Sequence, residues 1–198
     1  MVLIRPARPA DGPVIAEIRA ETWRAAYAGV IPDQTLAELT APDAVAREGA
    51  WRAAHSLDGF LIAERADNTD NTDNTDNTER AEGGDPDAIG FAAFGPERSE
   101  EDVPGQPPAG PPEQDRAELY AIYVRPARWS TGAGRALLEQ VLALAAEAGY
   151  ADISLWVLEG NARGRRFYDR AGFRATGESA TLTDLGGLTE IRYRRSVR

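Results

Sequence analysis

The stretch from Glu118 to Phe173 limits the fold of this chain more than any other part of it. It opens on an apolar run, Leu119 to Val124, of strand length and rich in Tyr, Ile and Val. Pro126 removes a donor and breaks the pairing. A turn containing Gly132 and Gly134 leads into a helix whose Leu137, Leu138, Val141, Leu142, Leu144 and Ala145 mark one wide apolar face. Gly149 is the expected stop. A second buried-type strand, Ile153 to Leu158, follows. Asn161 is a good N-cap for a short helix that ends at Gly172, and Phe173 opens another strand. The segment therefore reads strand, glycine turn, helix, strand, helix, strand.

A glycine turn that opens a helix is suited to an anion. Glycine lets the backbone approach closely, the first amides lack intrahelical partners, and the helix dipole adds about half a positive charge. Two common nucleotide motifs are excluded by the residues themselves. A P-loop needs Gly-Lys-Ser/Thr, and the chain has no lysine. A dinucleotide fingerprint needs a small residue three after Gly134, where Leu137 stands.

The charge distribution agrees with an anion in the C-terminal half. The net charge is −10, yet residues 67–115 hold fourteen acids and two arginines, while 119–198 hold eight acids and twelve arginines. The acidity belongs to one loop-like region and the half with the glycine turn is basic. This speaks against a nucleic-acid role for the surface as a whole. With 198 residues and 42% hydrophobic content, the chain is expected to form one domain spanning 1–198 with an ordinary core. It has no cysteine, hence no disulfide or thiolate nucleophile, and with one histidine no metal constellation is visible. No stretch approaches the roughly 20 apolar residues of a membrane span, and the N-terminus lacks the form of a signal peptide, so a cytoplasmic protein without membrane partners is expected.

Along the rest of the chain, Val2 to Ile4 predicts a strand. A helix follows from Asp11, with Val14, Ile15, Ile18, Trp23, Ala26 and Tyr27 at helical spacing and Gly29 after it. Short helices are predicted from Pro32 and from Pro42 to His55, then strands at Phe60–Ala63 and Ala88–Phe94, with Gly90 hinting at a bulge. Residues 67–78 are four copies of Asp-Asn-Thr, which can bury nothing. Residues 66–87 and 96–115 are expected to be disordered insertions flanking one hairpin strand. Strands at Phe173–Glu178 and Thr189–Arg194 close the chain.

Two segments carry a family resemblance. Val124-x-Pro126 followed by Ser130-Thr131-Gly132-Ala133-Gly134-Arg135-Ala136-Leu137-Leu138 resembles the acyl-CoA pyrophosphate loop of the GNAT N-acetyltransferases. Asn161, Arg165-Arg166-Phe167-Tyr168 and Gly172-Phe173 are similar to that family's next signature, in the right order and at the right separation. There are two departures. Trp129 stands where an Arg or Gln usually opens the loop, and Gly164 where an alanine is usual. The resemblance implies an α/β fold, a mixed and mostly antiparallel sheet with helices on both faces, in which the Glu118–Val124 and Ile153–Leu158 strands are parallel and splay apart to admit the cofactor.

It also implies roles. Acetyl-CoA is the co-substrate, and its acceptor is a primary amine on a small molecule, a peptide N-terminus or a lysine. Cofactor-binding residues are expected at Ile122, Tyr123 and Val124, at Trp129, Ser130, Thr131, Gly132, Ala133, Gly134 and Arg135, and at Asn161 and Tyr168. Arg128, Arg163 and Arg165 are candidates for the 3′-phosphate. Tyr168 is the candidate acid near the thioester sulfur, and Glu118 holds the strand position of a catalytic glutamate. Trp23 and Tyr27 are on the acceptor side, and homodimers are frequent in the family. An alkyl amine has a pKa near that of lysine, about 10.4, so the chemistry calls for a base. His55, with no visible partner, is a poor one. The remaining alternatives are another acyl-CoA donor, a non-catalytic acyl-CoA sensor, and a nucleotide-binding regulator.

Overall fold

The apolar runs become strands of one seven-stranded sheet in a computed structural model of the protein, which describes residues 1–65, 87–98 and 115–197. In chain order these are β1 (Val2–Pro6), α1 (Gly12–Ala26), α2 (Asp33–Leu39), α3 (Pro42–Ala53), β2 (Phe60–Arg65), β3 (Ala88–Pro96) and β4 (Arg116–Val124). Then come α4 (Ala133–Glu147), β5 (Asp152–Leu158), α5 (Ala162–Arg170), β6 (Arg174–Leu182) and β7 (Leu188–Ser196). The sheet order is β1-β2-β3-β4-β5-β7-β6, and every neighbouring pair is antiparallel except β4 with β5. This is the mixed, mostly antiparallel sheet that was expected.

Side-chain alternation sends successive residues to opposite faces and so builds two cores. Leu61 and Ala63 of β2 and Ala92 of β3 join Leu137, Leu138, Val141 and Ala145 of α4. Ile62 and Phe91 point the other way and meet Val14, Ile15 and Ile18 of α1. A smaller cluster, Ile31, Leu36 and Leu158 with Trp23 and Tyr27 against it, seals the far end of the sheet. In α4 the inner stripe is fully buried, while Leu142 and Leu144 pack at its margin. The helix stops at Ala148 because Gly149 takes the left-handed conformation, φ 89°.

The bulge hinted at by Gly90 is present. The register slips between Ala63 and Glu64, whose partners are Gly90 and Ala88, leaving Ile89 unmatched. Gly90 also has to be glycine on the other side, since a Cβ there would lie 2.8 Å from the Tyr123 carbonyl oxygen. Trp51 of α3 turns outward and stacks on His55 at 4.3 Å between centroids.

The expected insertions lie largely outside the described residues, at 66–86 and 99–114, but their margins need correction. β3 runs on to Pro96, the Glu97 amide donates to the Arg116 carbonyl at 3.1 Å, and Asp87 accepts from the Arg65 amide at 3.0 Å. The hairpin ladders continue past the apolar runs because backbone groups pair whatever side chain they carry. Among the described residues, no helix is long and apolar enough to cross a membrane.

If α4 is the main packing element of its face, Leu137→Ala should cost about 2–5 kcal/mol in urea unfolding. Leu142→Ala, at the margin, should cost less than half as much.

Candidate active site

The parallel pair β4/β5 is the source of the site. It is hydrogen-bonded only at Arg116↔Asp152, Ala117↔Ile153 and Glu118↔Ser154, after which the strands part. A bulge lies next to the point of parting. Ala93 and Phe94 face Ala121 and Leu119, so Tyr120 is the extra residue and β4 bends there. Beyond Glu118 the β5-facing edge of β4 is left open to a cleft of about 990 Å³. That cleft is lined by both diverging strands, the glycine turn, α5 and the end of α1.

Residues from far apart hold the fork. At its closed end the Ser154 hydroxyl donates to Glu97 at 2.8 Å, and Arg192 forms an ion pair with the same Glu97 and another with Glu178 at 2.8 Å. Glu118, 1% exposed, sits at the apex. One of its oxygens accepts from the Arg98 amide at 3.0 Å and the other from the Arg98 guanidinium, which lies over the Tyr120 ring at 4.7 Å from its centroid. At the open end the Val124 carbonyl accepts both the Trp129 indole N–H, at 2.7 Å, and the Thr22 hydroxyl, at 3.1 Å.

The turn after β4 is built by torsion angles. Ser130 at φ 64° and Gly132 at φ 97° are both left-handed, and α4 starts at the next residue without a side-chain cap. Its first amides therefore face the cleft mouth, with the positive end of the helix dipole behind them. Thr131 bonds back to the Arg128 carbonyl at 2.8 Å, and Arg135 forms an exposed ion pair with Glu139 at 2.7 Å. The Arg163 guanidinium, from α5, lies over the Trp129 ring at 4.1 Å and reaches the Ser130 hydroxyl at 3.5 Å. Tryptophan at the loop's opening thus ties the strand end and carries a cation that another helix supplies.

Across the cleft, Asn161 caps α5 by accepting from the Gly164 amide at 2.8 Å. Glycine at 164 suits this cap, since a Cβ there would meet the Asn161 amide nitrogen at 2.7 Å. Tyr168 stands edge-on to Phe167 and Phe173, at 5.2 and 5.8 Å. Burial, with a smaller contribution from Tyr123, pushes its hydroxyl well above the ordinary tyrosine range. Burial likewise raises Tyr27 and Tyr123. All three hydroxyls stay protonated at neutral pH.

A match to the model of the acetyltransferase (GNAT) family covers residues 43–173. The chain belongs to the acetyltransferase (GNAT) family. Among its relatives, the uncharacterized N-acetyltransferase YuaI of Bacillus subtilis is 30% identical, over 81% of this chain and 74% of that one. The probable N-acetyltransferase Rv2775 of Mycobacterium tuberculosis is 26% identical over 98% and 92%. In fold the chain is similar to yncA of Salmonella typhimurium, solved with acetyl-CoA, at a TM-score of 0.62 and 20% identity over 100% and 95%. PaiA N-acetyltransferase of Thermoplasma acidophilum, solved with coenzyme A, gives a TM-score of 0.60 at 19% identity over 97% and 98%.

In this GNAT member the cleft brings together most of the residues singled out from sequence. Trp23, Tyr27, Glu118, Ile122, Tyr123, Val124, Trp129, Ser130, Gly132, Gly134, Arg135, Asn161 and Tyr168 all line it. Thr131, in the same turn, and Ala133, the first residue of α4, adjoin those lining residues in sequence. His55 does not line it; its ring bonds the Trp51 carbonyl at 2.6 Å. Sequence reasoning passed over Arg98, Trp156 and Glu190, which also line the cleft. Arg98 sat in a stretch read as loop, and Glu190 in an alternating strand where a charged residue is ordinarily solvent-facing. The signal available for Glu190 was its pairing rung with Leu158, which only the sheet order reveals.

Glu118 is pinned as the partner of Arg98, so removing it strands a half-buried guanidinium. Glu118→Ala should lower unfolding free energy by about 3 kcal/mol or more in urea melts. Glu118→Gln should recover part of the loss.

Proposed function

We propose that the protein moves an acetyl group from acetyl-CoA to a primary amine, by direct attack in a ternary complex. The observation that carries this reading is the fork between β4 and β5, opening onto a helix N-terminus whose preceding turn is held left-handed at two residues. An extended acyl-pantetheine arm fits along the open edge of β4, and a diphosphate fits the amides from Ser130 to Arg135. Family membership and fold relatives solved with coenzyme A or acetyl-CoA support the choice of ligand.

In this scheme the backbone of Ile122, Tyr123 and Val124 pairs with the pantetheine amides, and an amide of that segment polarises the thioester carbonyl. Such donors are worth about 2.7–4 kcal/mol where they have been removed elsewhere. Ser130, Thr131, Gly132, Ala133, Gly134 and Arg135 take the pyrophosphate, with Trp129 and Arg163 flanking it. Asn161 acts through the cap that fixes α5 and so aims Tyr168. Trp23 and Tyr27 stand on the acceptor side.

Tyr168 then serves as a hydrogen-bond donor to the departing sulfur. In water, proton transfer from a tyrosine near 10 to a thiolate near 8.5 is uphill by about 2 kcal/mol. Burial raises the Tyr168 hydroxyl further, which widens that gap. Donation without full transfer is the role that fits. Glu118 has its oxygens engaged by Arg98, and we assign it to holding the fork.

Thiol release from acetyl-CoA across a panel of small amines, peptide N-termini and lysine peptides tests the reading. It fails if acetyl-CoA binds and no amine releases thiol. In the same assay Tyr168→Phe should lower kcat more than tenfold and change the acetyl-CoA KM by less than threefold; an unchanged kcat removes Tyr168 from the chemistry.

A further inference from the structure

Three carboxylates line the cleft, Glu118 at the apex, the exposed Asp184 and the half-buried Glu190, and the setting of Glu190 differs from both others. Glu190 lies on β7, on the rung where β7 pairs with Leu158 at the far tip of β5. On its other side it pairs with Ala180 of β6. Residues opposite one another in an antiparallel ladder share a face. Glu190 is thereby set among the apolar residues gathered round Leu158, including Trp23, Tyr27, Leu182 and Leu185. It is half-buried and lines the cleft.

The other carboxylates at the fork are occupied. Glu118 is held by Arg98, Glu97 by Arg192 and Ser154, and Glu178 by Arg192. Among the described residues, the Glu190 carboxylate receives no hydrogen bond or ion pair. The charged groups facing it are Arg98 and Glu118 from the apex, with Arg192 two residues on along its own strand and engaged elsewhere. Burial pushes its carboxyl above the ordinary range; Arg98 draws it back and Glu118 pushes it further up.

Resting on the acetyl-transfer reading, we propose that Glu190 receives the acceptor as an ammonium ion and takes its first proton, and that the acceptor is a primary amine carried on an apolar body. An unpaired carboxylate amid apolar walls attracts a cation strongly, because little water screens it. At neutral pH an alkyl amine arrives protonated, with a pKa of about 10. In the reaction the ammonium gives one proton to Glu190. The freed lone pair forms the C–N bond as the carbonyl π bond opens. The C–S bond breaks, the nitrogen's second proton goes to the sulfur beside the Tyr168 hydroxyl, and the proton on Glu190 passes to water. The sum is amide, thiol and one proton from ammonium and thioester. A carboxyl raised by its surroundings is a better proton acceptor than an exposed one and returns its proton readily.

The sign of the pH effect follows. Glu190 must be ionised to act, so kcat/KM rises as pH rises through its pKa, and that acid limb belongs to this one group. The test is steady-state thiol release by wild type, Glu190→Gln and Glu190→Asp between pH 5 and 9, with acetyl-CoA affinity measured by calorimetry. The acceptors are 2-phenylethylamine, spermidine and a lysine peptide. Expected are a 2-phenylethylamine preference in wild type and a fall in kcat/KM of about 10²–10⁴-fold in Glu190→Gln, with the acid limb gone. Acetyl-CoA affinity should change by less than twofold, and Glu190→Asp should keep the limb at reduced rate. Wild-type turnover with Glu190→Gln within threefold and its limb intact overturns this inference alone, as does a wild-type preference for spermidine in respect of the acceptor class. Wild type that binds acetyl-CoA yet acetylates nothing overturns the transfer reading and this inference together.

Discussion

A parallel strand pair that stops after three rungs is the constraint on which the rest of this molecule depends. Backbone N–H and C=O groups buried without partners are costly, so a sheet ordinarily continues its ladders to the ends of its strands. Here β5 loses β4 after Ser154 but keeps β7 along its whole length, from Asp152↔Ser196 to Leu158↔Glu190. β4 likewise keeps β3 on its other edge as far as Gly90↔Val124. Each strand of the fork is secured from outside, which allows the inner edges to remain open.

The two ends of the fork are fixed by different physics. The closed end relies on charge. Glu97, Arg192, Ser154, Glu118 and Arg98 come from three strands and the segment that follows β3, and their burial makes each partner dependent on the other. The open end relies on neutral hydrogen bonds, two donors on the single Val124 carbonyl, one from the loop and one from α1. Movement of β4 toward β5 would disturb α1, the glycine turn and the charge cluster together. The cleft is thus a consequence of packing that exists before any ligand arrives.

Burial also decides what the aromatic side chains can do. Tyr27, Tyr123 and Tyr168 are all held protonated, chiefly by removal from water. Each is a donor at neutral pH, and none is suited to act as a base. The carboxylates divide by their partners, with guanidinium groups paired to Glu97, Glu118 and Glu178 and Glu190 left to its apolar surroundings.

Local physics made much of this legible in the sequence. Apolar periodicity marked α4, left-handed glycines at 132, 149 and 172 marked turns and stops, and Asn161 announced its own helix cap. These features are set by residues within a few positions of one another, so order along the chain suffices to find them. Long-range pairing was not legible. That β7 inserts between β5 and β6, that Arg98 folds back on Glu118, and that Thr22 bonds the end of β4 each join residues whose sequence spacing carries no signal. The sequence by itself determined which segments are strand, helix and turn, and where an anion could sit. Only the tertiary structure decided which carboxylates meet a guanidinium and that the half-buried Glu190 faces the cleft without one, because charge pairing depends on distances that the sheet order creates.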